Sequence, residues 1–289
     1  MCSSDLDERE GTLHIAFVDP DWLERRWSPL VPDHGKMMHA FLVRIPEAAA
    51  FAHVHPVPTG SDAFRLSLPP LPAGEYALYA DVVHETGFAQ TLTDTVTIGT
   101  TDGAAGGDAD DSWWTGSPAA VPSKGSPGVA RFADGSTLGI DGVGSEAVVA
   151  SRDLMLSFTA REANGEPTAL QPYMGMTAHL AVRRDDGAIF VHLHPSGSIA
   201  AASQRQIAIA TDAYSGAGSG ERGTEAGDPT ADTHVMDSDA APTLDPRGVV
   251  RVPYAFPQPG RYRLFVQTRR DDVVRTAVFD VDVVSGPER

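Results

Sequence analysis

Residues 176–195 read MTAHLAVRRDDGAIFVHLHP, and the register of this stretch decides the fold. Asp186-Gly187 is a preferred centre for a two-residue hairpin turn, which needs backbone conformations that Asp and Gly tolerate. Pairing Asp185 with Ala188 and counting outward sets Arg183 opposite Phe190, Ala181 opposite His192 and His179 opposite His194. Strand residues two apart share a face at about 6.5–7 Å, and directly opposed Cβ atoms lie about 4.5–5.5 Å apart. His179, His192 and His194 therefore form a triangle on one face. Leu180, Val182, Ile189, Val191 and Leu193 occupy the other, which is the candidate core face.

The pattern occurs twice. LHIAFV (13–18) parallels LMLSFT (154–159), MMHAFLVR (37–44) parallels MTAHLAVR (176–183), FAHVHP (51–56) parallels FVHLHP (190–195), and LPAGEYALY (71–79) parallels QPGRYRLF (258–265). Four blocks in the same order describe an internal duplication. In the first copy, pairing Arg44 with Ala50 sets His39 opposite His55 and Phe41 opposite His53, so His39, His53 and His55 share a face. Met37 has the same parity. Phe41, Val43 and Phe51 make that face partly apolar, which supports a structural role for its histidines and equally suits an interface between the copies.

Each block is a short run rich in Val, Leu, Phe and Tyr, bounded by Gly, Pro and Asp, and no segment carries a helical stripe. The expected fold is all-β: two tandem immunoglobulin-like or cupredoxin-like β-sandwich domains. The first spans 11–99 and the second 129–285, with an acidic Gly/Asp/Pro linker at 100–128 between them. Trp113 and Trp114 of the linker are expected to dock on a domain. A flexible insertion is expected at 203–247, where His234 and Met236 are accessory ligand candidates.

The chain has 289 residues, is 42% hydrophobic and carries a formal net charge of −17. That charge excludes a basic face for nucleic acid and disfavours anionic lipid surfaces. No apolar run approaches a membrane span. The opening MCSSDL looks like translated sequencing-adapter sequence, so the native N-terminus is expected to be missing, and with it any signal or anchor. Cys2 is the single cysteine, which leaves no disulfide or thiolate metal site.

Three imidazoles on one sheet face suit a first-row divalent metal. Nearby thioethers shift the preference toward copper, with zinc second. The candidate ligands are His39, His53, His55, His84, Met37 and Met38 in the first copy, and His179, His192, His194 and Met176 in the second. His84 follows the late strand YALYADVVH and has Arg270 as its counterpart. Met176 breaks strand parity with His179 and needs an irregular approach. His34 lies outside the set as a further candidate. The competing reading makes the histidines structural, locking each hairpin above Pro56 and Pro195.

The segment HGKMMHAFLVR…FAHVHP…LPAGEYALYADVVHETG resembles exported bacterial YtkA- or FixH-like, heavy-metal-associated domains. The resemblance covers about residues 13–98, and more loosely 150–198 with 250–284. It implies a periplasmic, secreted or cell-surface location and copper handling, with a membrane-bound metal transporter or oxidase-assembly partner. Nothing resembles a nucleophile elbow, a P-loop or a dinucleotide fingerprint. The expectation is a non-enzymatic metal-handling protein. A non-catalytic surface or adhesion module and a copper-dependent oxidoreductase are the alternatives.

Overall fold

A computed structural model describes residues 2–7, 11–18, 20–23, 29–101, 107–116, 128–143, 147–217 and 244–286. The first half holds β1 (Cys2–Asp7), β2 (Thr12–Phe17), α1 (Pro20–Leu23), β3 (Leu30–Val31), β4 (His39–Ile45), β5 (Ala50–Val54), β6 (Val57–Pro58), β7 (Ala63–Ser67), β8 (Gly74–His84), β9 (Ala89–Ile98) and β10 (Ser112–Thr115). The second half holds β11 (Gly128–Arg131), β12 (Thr137–Asp141), β13 (Val148–Val149), β14 (Leu154–Arg161), β15 (His179–Arg184), β16 (Phe190–Leu193), α2 (Ala201–Ala217), β17 (Val249–Tyr254), β18 (Gly260–Arg270) and β19 (Val273–Val284). No described helix is long and apolar enough to cross a membrane.

Each half is a β-sandwich. Sheet β1-β2-β7-β6 faces sheet β10-β5-β4-β8-β3, in which β8 also pairs β9. Sheet β11-β12-β14-β17 faces sheet β13-β19-β18-β15-β16. Alternation along the strands builds two separate cores. One gathers Leu13, Ile15, Leu42, Leu78 and their neighbours. The other gathers Phe158, Leu180, Val182, Leu264 and Phe279. Both sandwiches carry the tyrosine corner of immunoglobulin-like domains. Tyr76 Oη donates to Pro72 O at 2.7 Å, and Tyr262 Oη donates to Gln258 O at 2.8 Å.

Both hairpins have the register read from sequence. β4 and β5 pair Phe41 with His53 and Val43 with Phe51. β15 and β16 pair Arg183 with Phe190 and Ala181 with His192. The second turn is not the two-residue one expected at Asp186-Gly187. Gly187 N donates to Arg184 O at 2.8 Å, which centres the turn on Asp185-Asp186, and Arg184 N donates to Ile189 O at 2.9 Å, which leaves residues 185–188 in the loop. Gly187 follows that turn with φ +75°, a conformation glycine tolerates, and the strand register is unchanged.

Three expectations need correction. The linker contributes β10, which extends the first sheet by pairing Ser112 with His53 and Thr115 with Ala50. Within it Trp114 packs on the interface, whereas Trp113 stays 46% exposed. Residues 201–217, mostly assigned to a flexible insertion, form α2. Its run of Ala and Gln favours a helix without an amphipathic stripe, since these side chains lose little freedom there. His234 and Met236 lie outside the described residues.

The two sandwiches meet through their histidine-bearing sheets. Phe41, Val43, Phe51 and Tyr79 from the first half pack with Ala181, Phe265 and Val278 from the second. Phe51 stacks on Phe265 at 4.1 Å, and Tyr79 stacks on Phe190 at 3.9 Å. These pairs are equivalents under the duplication: Phe51 matches Phe190, and Tyr79 matches Phe265. The interface thus has an approximate two-fold relation, and it buries the face that carries the imidazoles.

Candidate metal centre

Among the described residues, seven imidazoles converge at this interface: His34, His39, His53, His55, His179, His192 and His194. His39 and His179 stack 6.5 Å apart across it, and His53 lies 5.5 Å from His192. The two triangles are therefore one continuous cluster rather than two remote sites.

Hydrogen bonding fixes the tautomers, because a carbonyl or carboxylate oxygen can only accept. His39 Nε2 donates to Asp33 O at 3.1 Å, His53 Nδ1 to Gln267 Oε1 at 2.8 Å, and His55 Nδ1 to Asp111 Oδ1 at 2.8 Å. Three lone pairs remain, on His39 Nδ1, His53 Nε2 and His55 Nε2. His39 Nδ1 and His53 Nε2 lie 3.0 Å apart, and His55 Nε2 is buried without a partner. Facing lone pairs at that distance repel unless a cation sits against both. Nitrogens each about 2.0–2.1 Å from one ion lie roughly 3–3.5 Å apart, which is the spacing seen. An oxygen acceptor behind each ring is also the arrangement that orients histidine ligands.

The second triad repeats this scheme. His179 Nε2 donates to Tyr173 O at 3.2 Å, and His192 Nδ1 lies 3.4 Å from Asp81 Oδ2. His179 Nδ1 and His192 Nε2 then face each other at 3.1 Å. Both nitrogens of His194 are buried without hydrogen-bond partners, as is His34 Nε2, which lies 3.8 Å from Asp33 Oδ2. His34 comes from the first half but joins this second group. Its ring lies 5.1 Å from His179 and 4.8 Å from His194. One ligand nitrogen from each of His34, His179 and His194 lies within 4.8 Å of the others, and the same holds for His39, His53 and His55.

Burial keeps these rings neutral, as metal ligation requires. Loss of solvent, followed by repulsion from neighbouring imidazoles, holds His39, His53, His179 and His192 well below the usual value. Burial, and then His34, brings His194 down to about 3. Asp81 moves the other way: burial pushes its carboxyl up to about 7, although Thr91 donates to it.

The structure separates the sequence-derived candidates. The His39–His53–His55 triad assembles as expected, whereas in the second half the mutually close ligand nitrogens belong to His34, His179 and His194, and His192 approaches His179. His84 does not join them. It lies three residues beyond Asp81, which pairs with His39, so strand alternation turns it to the opposite face of β8, beside Gln90 and Phe88. Met38 is fully buried in the first core. Met37 packs at the edge of that core and also lines a cleft beside His39. Met176 closes a tight turn with Tyr173. It occupies the place of Lys36, whose ammonium runs out to Asp108 and Asp110. The repeat register here is 140 residues, not the 139 implied by aligning Met37 with Met176, because His39 and His179 make equivalent backbone contacts.

Sequence reasoning did not recognise the supports across the interface. Gln267 from the second half holds His53, and Asp81 from the first half approaches His192. Asp81 and Gln267 are equivalent positions of β8 and β18, with Tyr76 and Tyr262 aligned. That alignment was available in the sequence, whereas the docking that gives it meaning was not.

A family model described as a domain of unknown function (DUF8832) matches residues 131–219. No curated protein matches the chain. Solved structures with some likeness include the fibronectin(III)-like modules of Clostridium thermocellum CbhA, at 10% identity and TM-score 0.20, covering 98% of this chain and 95% of that one. Titin domains Z1Z2 in complex with telethonin match at 10% identity and TM-score 0.18, covering 96% and 88%. The BSP domain of a biofilm-associated protein matches at 8% identity and TM-score 0.21, covering 99% and 30%.

Proposed function

We propose that this chain is a metal-binding protein of the cell exterior or periplasm that handles copper, holding it between two immunoglobulin-like sandwiches. The observation that carries the reading is the set of oriented rings. In the first triad all three imidazoles have an oxygen behind the distal nitrogen and the proximal nitrogens converge; in the second, His179 and His192 face each other with Tyr173 O and Asp81 behind them. Purely structural histidines would satisfy both nitrogens, yet four buried ring nitrogens at this cluster have no hydrogen-bond partner, and only His34 Nε2 among them has a carboxylate nearby, at 3.8 Å. Unpaired buried polar atoms carry a cost that a bound cation removes.

The donor set suits copper first and zinc second. A cleft of about 140 Å³ reaches the cluster, lined by Met37, His39, Asp81, Phe190, His192 and His194 among others. It admits an ion with its waters but is small beside ordinary organic-ligand pockets of about 300–1,000 Å³. That favours ion handling over an oxidoreductase acting on an organic substrate. Delivery to a membrane-bound transporter or an oxidase-assembly partner is the role consistent with such a carrier.

The test is metal uptake by the wild-type chain against a double variant, His53→Ala with His55→Ala, using Cu(I), Cu(II) and Zn(II) in competition with chromophoric chelators. Wild-type protein should bind copper and the variant should lose the first site. Equal binding by both, or none by either, removes the proposal. The second outcome would favour the reading in which the histidines only lock the interface, to which the 4.3 Å stacking of Phe41 on His53 lends support.

A further inference from the structure

The approximate two-fold relation carries one consequence beyond the two triads. Residues 32–35 read Pro-Asp-His-Gly, and residues 172–175 read Pro-Tyr-Met-Gly. The two turns have the same shape. His34 and Met174 both take φ +49°, and each is followed by a glycine with positive φ. Asp33 bridges Lys36 as Tyr173 bridges Met176. The carbonyls of Asp33 and Tyr173 accept from His39 and His179 in the same way. Met174 is therefore the counterpart of His34.

His34 does not serve its own triad. It reaches the triad of the other half, beside His179 and His194, and its imidazole is hydrogen-bonded to the Met174 backbone. The two turns thus meet at the interface. The relation that matches Phe51 on Phe265 to Phe190 on Tyr79, and Gln267 at His53 to Asp81 at His192, also exchanges His34 for Met174.

We infer that Met174 is the cross-interface ligand of the His39–His53–His55 triad, as His34 is of the His179–His192–His194 triad. The protein then holds two chemically different sites at its interface, one of imidazoles with a thioether and one of imidazoles alone. A thioether favours Cu(I), while imidazoles alone accept Cu(II) or Zn(II) as well. This rests on the metal-binding reading above, and it assigns each site an oxidation-state preference and a ligand from the opposite sandwich.

The experiment is X-ray absorption at the copper edge on the full chain loaded with Cu(I), for wild type, Met174→Leu, Met37→Leu and His34→Ala. Leucine conserves the volume of methionine, and circular dichroism with a denaturation curve checks folding. Wild type should show sulfur scattering from about half of its copper. Met174→Leu should abolish that signal and weaken Cu(I) binding at the first site at least tenfold, leaving Zn(II) uptake unchanged. Met37→Leu and His34→Ala should both keep the sulfur signal. An all-nitrogen wild-type spectrum overturns the assignment while leaving the metal-binding reading intact. So does a sulfur signal that survives Met174→Leu, or one lost in Met37→Leu. Failure to bind any copper instead sinks the metal-binding reading itself.

Discussion

At the scale of single residues, the proposed function rests on which nitrogen of each imidazole is occupied. Asp111 shows how this is enforced. Its Oδ1 accepts from both the backbone nitrogen and the ring Nδ1 of His55, at 2.9 and 2.8 Å. That leaves Nε2 for a ligand. Asp111→Asn should therefore weaken copper binding at the first site by about 10–100-fold, the usual cost of losing a support behind a ligand. The second site should be untouched, and competition titration reads both. The shared faces of the histidines were legible in sequence, because alternation sets which residues lie together, whereas the entry of His34 from the other half was not. Asp111 was visible only as part of an acidic linker, since nothing in the local pattern ties it to a histidine more than fifty residues away.

At the scale of elements, the hairpins do the positioning. β15 and β16 project His179 and His192 toward the interface while Leu180, Val182 and Leu193 hold the core side. Gly187→Ala should strain this hairpin twice. The residue has φ +75°, and an added Cβ would lie 2.7 Å from Arg183 Nη2. A loss of roughly 1–2 kcal/mol in urea unfolding is expected from the backbone term alone. The hairpins could be read because a period of two constrains each register: the second, counted from Asp186-Gly187, survives although the turn itself sits one residue earlier, and the first follows by analogy between the copies. β10 and α2 could not. β10 exists because β5 offers it an edge, and α2 is seated by a contact from the other half: Asp33 Oδ1 accepts from Ala202 N at 2.7 Å. Composition suggests a linker in one case and a loop in the other, and the partner that orders each is distant in sequence.

At the scale of the whole molecule, the interface and the proposed metal sites are one structure. Phe265 is fully buried and stacks on Phe51, yet it contacts no proposed ligand through a bond. Phe265→Ala should cost about 3–5 kcal/mol and should lower copper affinity at both sites together, as seen by calorimetric titration. Acid should act at the same place. His39, His53, His179 and His192 have values held well below the usual one by burial. Below pH of about 6.5 the unfolded chain takes up protons that the folded chain refuses, so stability falls as pH falls, by up to about 1.4 kcal/mol per unit for each histidine. Asp81, raised to about 7, has the opposite sign between its unfolded and folded values, and can offset one histidine. Urea midpoints of the metal-free protein should therefore fall steeply from pH 6.5 toward 4. Copper should move that fall to lower pH, since metal binds the folded state preferentially.

The strand Ser112–Thr115 also shortens the leash between the sandwiches. It anchors the connecting chain beside His53, and the stretch from Gly116 to Gly128 can span at most about 40 Å even when fully extended. Two halves joined this closely see one another at an effective concentration in the millimolar range whatever the dilution. Any separation of the two sandwiches would then be followed by re-docking within one molecule, at a rate independent of protein concentration.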